Sequence, residues 1–438
     1  MKHTFKGGIH PYEGKELTMD KDVIEYLPKG DMVYPLSQHI GAPAKPLVKK
    51  GDHVLAGQLI AEAAGFVSAN IHASVSGTVK AVEQRLVSSG SKVNSIIIEN
   101  DNQYETIEFT PNKKPLNELT REEVIEAVKA AGIVGMGGAG FPTHVKLSPK
   151  NIDQIDRIII NASECEPYLT SDYRRIIDEA DKVIEGLRIV LAIFPGAKGI
   201  IAVEDNKPEA IRLLREKLAG DTDISVNSMP TKYPEGAERQ LIYANTGRYI
   251  NSKMLPADAG CIVHNVDTAY AICEAVREGR PLMERLVTVS GDAIKNPCNI
   301  RMKIGTNYGE LIECAGGFEG TPAKLIAGGP MMGKAIYTTD IPATKSSSAI
   351  LALSEDAVAE MEPSACIRCG RCVSVCPGRV MPNKLATMAN RNDIDGFIKN
   401  NGMECCECGC CSYVCPARRH LTQMIAGTRK LVLANRKK

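Results

Sequence analysis

Toward its C-terminal end the chain carries the run Cys366-x2-Cys369-x2-Cys372-x3-Cys376-Pro377, then repeats it as Cys405-x2-Cys408-x2-Cys411-x3-Cys415-Pro416. Three thiolates on one short loop can hold three corners of an iron–sulfur cubane. In a doubled run of this spacing the fourth cysteine, before proline, ligates the other cluster. One [4Fe–4S] cluster is therefore expected on Cys366, Cys369, Cys372 and Cys415, and a second on Cys405, Cys408, Cys411 and Cys376. A chain with two such clusters moves single electrons. Zinc prefers paired CxxC halves around a loop, and a third thiol at the same spacing plus a fourth before proline does not suit one tetrahedral ion. A disulfide framework needs an oxidising compartment, and the opening MKHTFKGGIHPYEGKE has no apolar segment of a secretory signal.

A second group of residues has the chemistry of phosphate and cofactor binding. Gly135, Gly137, Gly138 and Gly140 crowd one short loop, followed by Phe141 and Lys146. Glycines let a phosphate approach backbone N–H groups closely, and Lys146 can add a point charge. The loop follows a helical segment rather than a strand, so it is not the usual dinucleotide fingerprint. Three polar segments accompany it: Asn161-Ala-Ser163-Glu164-Cys165-Glu166-Pro167, Tyr233-Pro-Glu235-Gly236-Ala237-Glu238, and Val263-His264-Asn265-Val266-Asp267-Thr268. The first and third close expected strands, where open α/β sheets bind ligands. Asn265 and Asp267 can also be read as helix caps, but beside the cysteine runs the segments are expected to do more than cap.

A framework must hold these groups. With 438 residues the chain is too long for one core, and length alone implies about three domains. Lys and Arg total 53 against 52 Asp and Glu, a net charge of +1, which gives no general attraction to nucleic acid or membrane. The absence of Trp and the scarcity of Phe argue against an aromatic nucleic-acid platform. The most apolar stretch, 187–203, is interrupted by Arg188, Pro195 and Lys198, so membrane contact is expected only through partner subunits. The basic end, 428–438, reads as a solvated helix end. Cys165, Cys261, Cys273, Cys298 and Cys314 read as small buried apolar residues, and Cys406 and Cys410 as neighbours of a cluster rather than ligands.

Residues 30–100 read as a small all-β unit. Val48-Lys-Lys-Gly51-Asp52-His-Val54-Leu-Ala-Gly57-Gln58 and Ser76-Gly77-Thr78-Val79 resemble the barrel-sandwich fold of biotinyl and lipoyl carriers. Phe66 stands near the place of their modified lysine, so the resemblance implies the shape without a swinging arm. After a linker at 111–117, Thr120 and Glu123 form a capping box that opens a helix to about 131. Strands are expected at 157–161, 199–204 and 261–264, and helices at 170–193, 207–218 and 266–277. Their alternation means a parallel sheet with helices on both faces. Residues 286–337 suit a β-grasp module with a helix at 307–314, and an amphipathic helix is expected at 348–361.

The glycine loop, the Asn-Ala-x-Glu-x-Glu-Pro segment and the Val-x-Asn-Val-Asp-Thr segment resemble the NADH-oxidising flavoprotein subunit of respiratory complex I. With Gly7-Gly8-Ile9-His10-Pro11 and the doubled cysteine run in the same order, the chain resembles the RnfC family of the Rnf electron transport complex. That resemblance implies a multidomain α/β protein in four parts. These are an N-terminal extension and barrel-sandwich hybrid (1–110), a Rossmann-like FMN/NADH domain (118–285), a β-grasp, SLBB-like module (286–345) and a helical 2×[4Fe–4S] ferredoxin-like domain (348–438). It implies cofactor contacts from Gly135, Gly137, Gly138, Lys146, Asn161, Ser163, Glu164, Tyr233, Gly236, Asn265 and Thr268. Glu166 and Glu238 would lie toward NADH, and Phe141 would stack on the nicotinamide. Three positions depart from the complex I pattern: Met136 replaces Arg, Ala237 the first of two glutamates, and His264 the first of two asparagines.

The implied activity is electron transfer between NADH and ferredoxin through FMN and the clusters, with no side-chain acid or base. Membrane and iron–sulfur partner subunits would couple it to Na+ or H+ translocation, with the chain peripheral on the cytoplasmic face of a bacterial membrane. Cobalamin reductases of bacterial microcompartments share the architecture and form one alternative. A non-catalytic relay that docks ferredoxin forms another.

Overall fold

A computed structural model describes residues 3–435; the basic residues 436–438 of the expected C-terminal helix end lie outside them. Two small antiparallel sheets form the N-terminal unit. One orders Met32–Pro35, Lys92–Asn100, Gly77–Leu86 and His53–Val54; the other orders Lys45–Pro46, Leu59–Glu62 and Ile71–His72. Met32, Tyr34, Val54, Ile60, Ile71, Val79, Ile96 and Ile98 fill the space between them. This is the sandwich that the Gly- and Val-rich pattern implies.

Arg121–Ala130 starts on the expected capping box: the Thr120 hydroxyl accepts from Glu123 N–H, and the Glu123 carboxylate accepts from Thr120 N–H. The central sheet has four parallel strands in the order Ile224–Met229, Lys198–Glu204, Arg157–Ala162, Cys261–Asn265. Apart from the edge strand Ile224–Met229, its other three strands are apolar on both faces, as a doubly covered parallel sheet requires. Ile158, Ile160, Ile201, Val203 and Ile262 meet the helices Ser171–Ala192, Pro208–Lys217 and Val266–Glu278. Ile159, Ile200, Ala202 and Val263 meet Leu241 and Ile242 of Glu238–Thr246 on the other face. Neither that helix nor the edge strand Ile224–Met229 stands out in the sequence, because both are short and half polar.

A six-stranded mixed sheet follows, crossed by the helix Tyr308–Cys314. Here one expectation fails. The segment 348–361 is not an amphipathic helix: Ala349–Leu353 is a strand, parallel to Glu284–Ser290 and antiparallel to Lys324–Ala327. Its five apolar residues, four of them buried, are a run too short to distinguish a buried strand from a helical turn.

The C-terminal unit is built from short helices, and its two cysteine runs fold alike. Arg368 and Glu407 have left-handed backbone, as do Gly370 and Gly409, and Arg379 and Arg418. Each glycine starts a four-residue helix, Arg371–Ser374 or Cys410–Tyr413. The sequence repeat is thus a backbone repeat that wraps two concave loops.

Candidate functional site

Gly135 N–H donates to Phe141 O at 2.8 Å, and Thr143 N–H to Ile133 O at 3.0 Å. These bonds close the glycine loop and leave Gly137, Gly138 and Ala139 exposed at its tip, with Gly137 lying against the Asn265 side chain. The barrel unit supports the loop from behind. Ile40 N–H donates to Gly140 O at 3.1 Å, and His144 Nε2 donates to Phe66 O at 3.0 Å. Phe66, where a carrier would bear its arm, is a buttress instead.

From below, Thr268 Oγ1 accepts Met136 N–H at 3.1 Å. Asn265 caps the helix Val266–Glu278, accepting Asp267 N–H at 2.9 Å, and its amide donates to Asp172 at 2.6 Å. Asn265 is therefore a cap, yet it also stands level with Asn161 on the adjacent strand. Asn161 donates to Gly236 O at 2.8 Å. Lys146 Nζ donates to Val263 O at 2.8 Å and to Glu238 at 3.2 Å. The fold thus brings Gly135, Gly137, Gly138, Lys146, Asn161, Ser163, Gly236, Glu238, Asn265 and Thr268 together at the carboxyl ends of the parallel strands, with half-buried Phe141 at the loop's closure.

Two residues of the expected set, Glu164 and Glu166, are engaged elsewhere. Glu164 caps the helix Ser171–Ala192: its carboxylate accepts Asp172 N–H at 2.7 Å and Tyr173 N–H at 3.3 Å. Glu166 turns toward the six-stranded unit, accepting the N–H groups of Met331 and Met332 at 3.0 and 2.8 Å. Burial pushes its carboxyl up to about 7, and those two donors hold it from rising further. Tyr233 is buried among Ile9, Cys408 and Cys410, on the cluster side of the pocket.

Other residues of the site carry no sequence signal. Lys15 Nζ reaches the carbonyls of Glu164, Glu166 and Leu169 at 2.8, 3.1 and 2.6 Å. Lys207 Nζ donates to Ser163 O at 2.6 Å. Two buried lysines, remote in sequence, therefore set the path of the 163–169 loop. Asp267 bridges Arg175 at 2.6 Å and Arg285 at 2.7 Å, all three buried. Glu235 is buried with both carboxyl oxygens unpartnered, and burial raises its carboxyl to about 8.

The residues fit a flavin mononucleotide. Ser163 Oγ and His264 Nε2 are buried polar atoms without protein partners, which a polar ligand would satisfy. His264 is kept neutral, its pKa lowered to about 3 first by burial and then by Lys146. A Cβ added at Gly138 would meet nothing within 4 Å, so space is open beside the loop's backbone.

The thiols are arranged as the crossed scheme requires for one cluster. Cys366, Cys369, Cys372 and Cys415 line a single cavity with Ile367, Arg368 and Arg419. Cys372 is raised by burial and then by Cys415, Cys366 and Cys369. For the other cluster, Cys376 and Cys405 both act on the buried Cys411 thiol. Cys408 stands apart, flanked by Cys406 and Cys410. Among the described residues no group of His, Cys, Asp or Glu converges as a single-ion site; the four thiols of the first set line a cavity instead.

The two loops differ in surroundings. The second motif and Cys376 lie against the flavin-type unit. Gly8 N–H donates to Val375 O at 2.8 Å, and Ile9 exchanges two backbone hydrogen bonds of 2.9 Å with Tyr233. Gly7 and Gly8 have φ of 88° and 82°, and a Cβ on either would lie within 2.8 Å of Val375 O or Tyr233 O. This explains the N-terminal glycine pair: it is wedged between pocket and cluster. Glu404 completes the contact, accepting Arg239 at 3.1 Å and Ser252 N–H at 2.8 Å. Cys366 and Cys369 are exposed.

Four family models match along the chain: the RnfC barrel sandwich hybrid domain over residues 3–103, the Nuo51 FMN-binding domain over 128–274, the SLBB domain over 286–335 and a 4Fe-4S binding domain over 359–381. The C subunit of the Na+-translocating ferredoxin:NAD+ oxidoreductase complex of Acetobacterium woodii is 47% identical, covering 100% of this chain and 99% of that one. The proton-translocating counterpart from Clostridium ljungdahlii is 46% identical over 90% of this chain and 86% of its own. A crystal structure of an NAD+-reducing [NiFe]-hydrogenase aligns with 65% of this chain and 55% of its own at 20% identity and a TM-score of 0.50, a likeness of fold. The chain belongs to the RnfC family, the C subunits of ion-translocating ferredoxin:NAD+ oxidoreductase (Rnf) complexes.

Proposed function

We propose that this chain is the NAD(H)-reacting, electron-transferring subunit of such a complex, passing electrons between NADH and the ferredoxin side through FMN and two [4Fe–4S] clusters. Bound FMN exchanges a hydride with the nicotinamide and single electrons with the clusters. The chain's residues position and insulate. Glycine-loop N–H groups and Lys146 would hold the phosphate, Asn161, Ser163, Gly236, Asn265 and Thr268 the rest of the flavin, and Phe141 and Glu238 the nicotinamide side. Glu164 acts through the helix it caps, and Glu166 through the loop it pins.

The observation that carries this reading is the contact of the second cysteine motif with the flavin-type pocket through Gly8, Ile9, Tyr233 and Cys410. It supports reading Cys405, Cys408, Cys411 and Cys376 as the inner cluster, next to the flavin. No helix among the described residues is long and apolar enough to cross a membrane, so attachment is assigned to the other subunits, on the cytoplasmic face where NADH is found.

The test is an anaerobic titration of the purified protein with NADH, followed in the visible range. Loss of the flavin band followed by partial bleaching of the broad cluster absorbance is expected. Flavin that ignores NADH would leave a relay that only passes electrons.

A further inference from the structure

We propose that the face around the first cysteine motif docks an acidic iron–sulfur subunit of the same complex, with electrons crossing between chains at the outer cluster. The proposal rests on the two-cluster reading and adds the port and its partner. The cavity lined by Cys366, Cys369, Cys372 and Cys415 opens at the surface, and Ile367 on its rim is 66% exposed.

The charged residues that line the cavity are both cationic. Arg368 and Arg419 line the cavity, and Arg371 and Arg418 adjoin them in the two loops. None of the four makes an ion pair among the described residues. The equivalent loop of the inner motif behaves differently: Glu404 pairs with Arg239, and Glu407 with Arg429. The two glutamates of the inner loop are thus paired within the chain, and of the inner cluster's arginines only Arg379, the counterpart of Arg418, stands exposed, whereas the outer cluster has four arginines left for another molecule.

Arginines beside an exposed apolar residue are the composition of a protein interface rather than of a solvated face. A one-signed rim steers a partner of opposite charge and fixes its register. The occupant must also accept single electrons, because the port is a cluster. A subunit is favoured over a diffusing carrier because this chain has no membrane span of its own among the described residues and must be retained by lasting contacts.

The experiment uses the whole complex, purified through a tag on another subunit. The combined variant Arg371→Glu, Arg418→Glu, at the two arginines that do not line the cavity, should keep its iron and flavin and still bleach its own clusters with NADH. Electron passage to the rest of the complex should fall roughly tenfold or more at low salt. The corresponding Arg→Gln pair should fall less. In an otherwise unaltered complex, a photoreactive benzoylphenylalanine replacing Ile367 should cross-link to an acidic stretch of an iron–sulfur subunit. This second measurement decides the matter even if the charge-reversed chain does not fold. Unchanged passage in the folded double variant, or cross-links found only with added soluble ferredoxin or only within this chain, would overturn the proposal. Failure of the two-cluster reading looks different: the unaltered chain alone would lack the second set of irons.

Discussion

Cys376 lies within the first cysteine run, yet its thiol acts on Cys405 and Cys411 of the second. Cys376→Ser replaces a soft thiolate by a poor oxygen ligand at one corner of the inner cluster. Each cubane holds four irons, so the content should fall from about eight per chain to about four. The retained cluster should be the one on Cys366, Cys369, Cys372 and Cys415, whose four thiols share a cavity that Cys376 does not line. A functional consequence follows. The inner cluster is the one in contact with the flavin-type pocket, so in this variant NADH should bleach the flavin but leave the remaining cluster oxidised. Dithionite should still reduce it. Cys415→Ser should do the reverse: about four irons again, but on an inner cluster that NADH still reduces. The assay is iron analysis with anaerobic visible and electron paramagnetic resonance spectra before and after each reductant. Two outcomes would refute the reasoning: a Cys376→Ser chain that loses the cluster of its own run, or one whose surviving cluster NADH reduces at the unaltered rate.

Lys146→Ala removes a cation held at the strand ends by Val263 O. Loss of a charged hydrogen bond of about 1.5–3 kcal/mol should weaken FMN binding by about 10- to 150-fold, read from the fluorescence of released flavin, with iron content unchanged. Glu164→Ala removes the acceptor for Asp172 and Tyr173 N–H and should cost about 1–2 kcal/mol of stability in denaturant unfolding; a flavin affinity lowered as much as in Lys146→Ala would show that Glu164 touches the ligand. Glu235 has a carboxyl raised from 4.5 to about 8 by burial and by Glu204. The folded state therefore binds its proton more tightly than the unfolded state, and stability falls as pH rises between those values. Glu235→Gln should abolish that loss, by at most about 5 kcal/mol at the upper end. Its thermal midpoint should exceed the parent's at about pH 8 and match it near pH 4.5, and a constant offset would reject the assignment.

What can be read from the sequence follows the range of each interaction. The cluster ligands are legible because a cubane imposes short, regular spacing on one loop, and the capping box because both partners lie within one turn. The parallel strands are legible because burial on both faces makes them continuously apolar. Glu164 and Glu166 are not: two residues apart in a segment that reads as ligand-facing, they are engaged by a following helix and by the loop at 331–332. Only tertiary structure separates those fates. Lys15 is silent for the same reason, since its acceptors are backbone carbonyls with no side-chain identity, and so is the contact of Lys207 with Ser163 O, although Lys207 also pairs locally with Glu204 and Asn206. The strand at 349–353 is illegible because its partner strands, not its own pattern, determine its form.

These long-range contacts also account for the chain's order. The N-terminal glycine pair is the first distinctive segment and the cysteine runs the last, yet they meet at Tyr233, beside the pocket. A Cβ on Gly7 or Gly8 would collide with backbone atoms of the cluster loop or of residue 233, and backbone cannot yield as a flexible side chain can. The cysteine loops beside Tyr233 are therefore held by a strap from the other end of the chain. Truncating the first ten residues would leave both cysteine runs intact and still loosen the inner cluster from the flavin. The outer cluster has no such strap, and its rim of arginines without ion pairs leaves its seating to the partner that docks there.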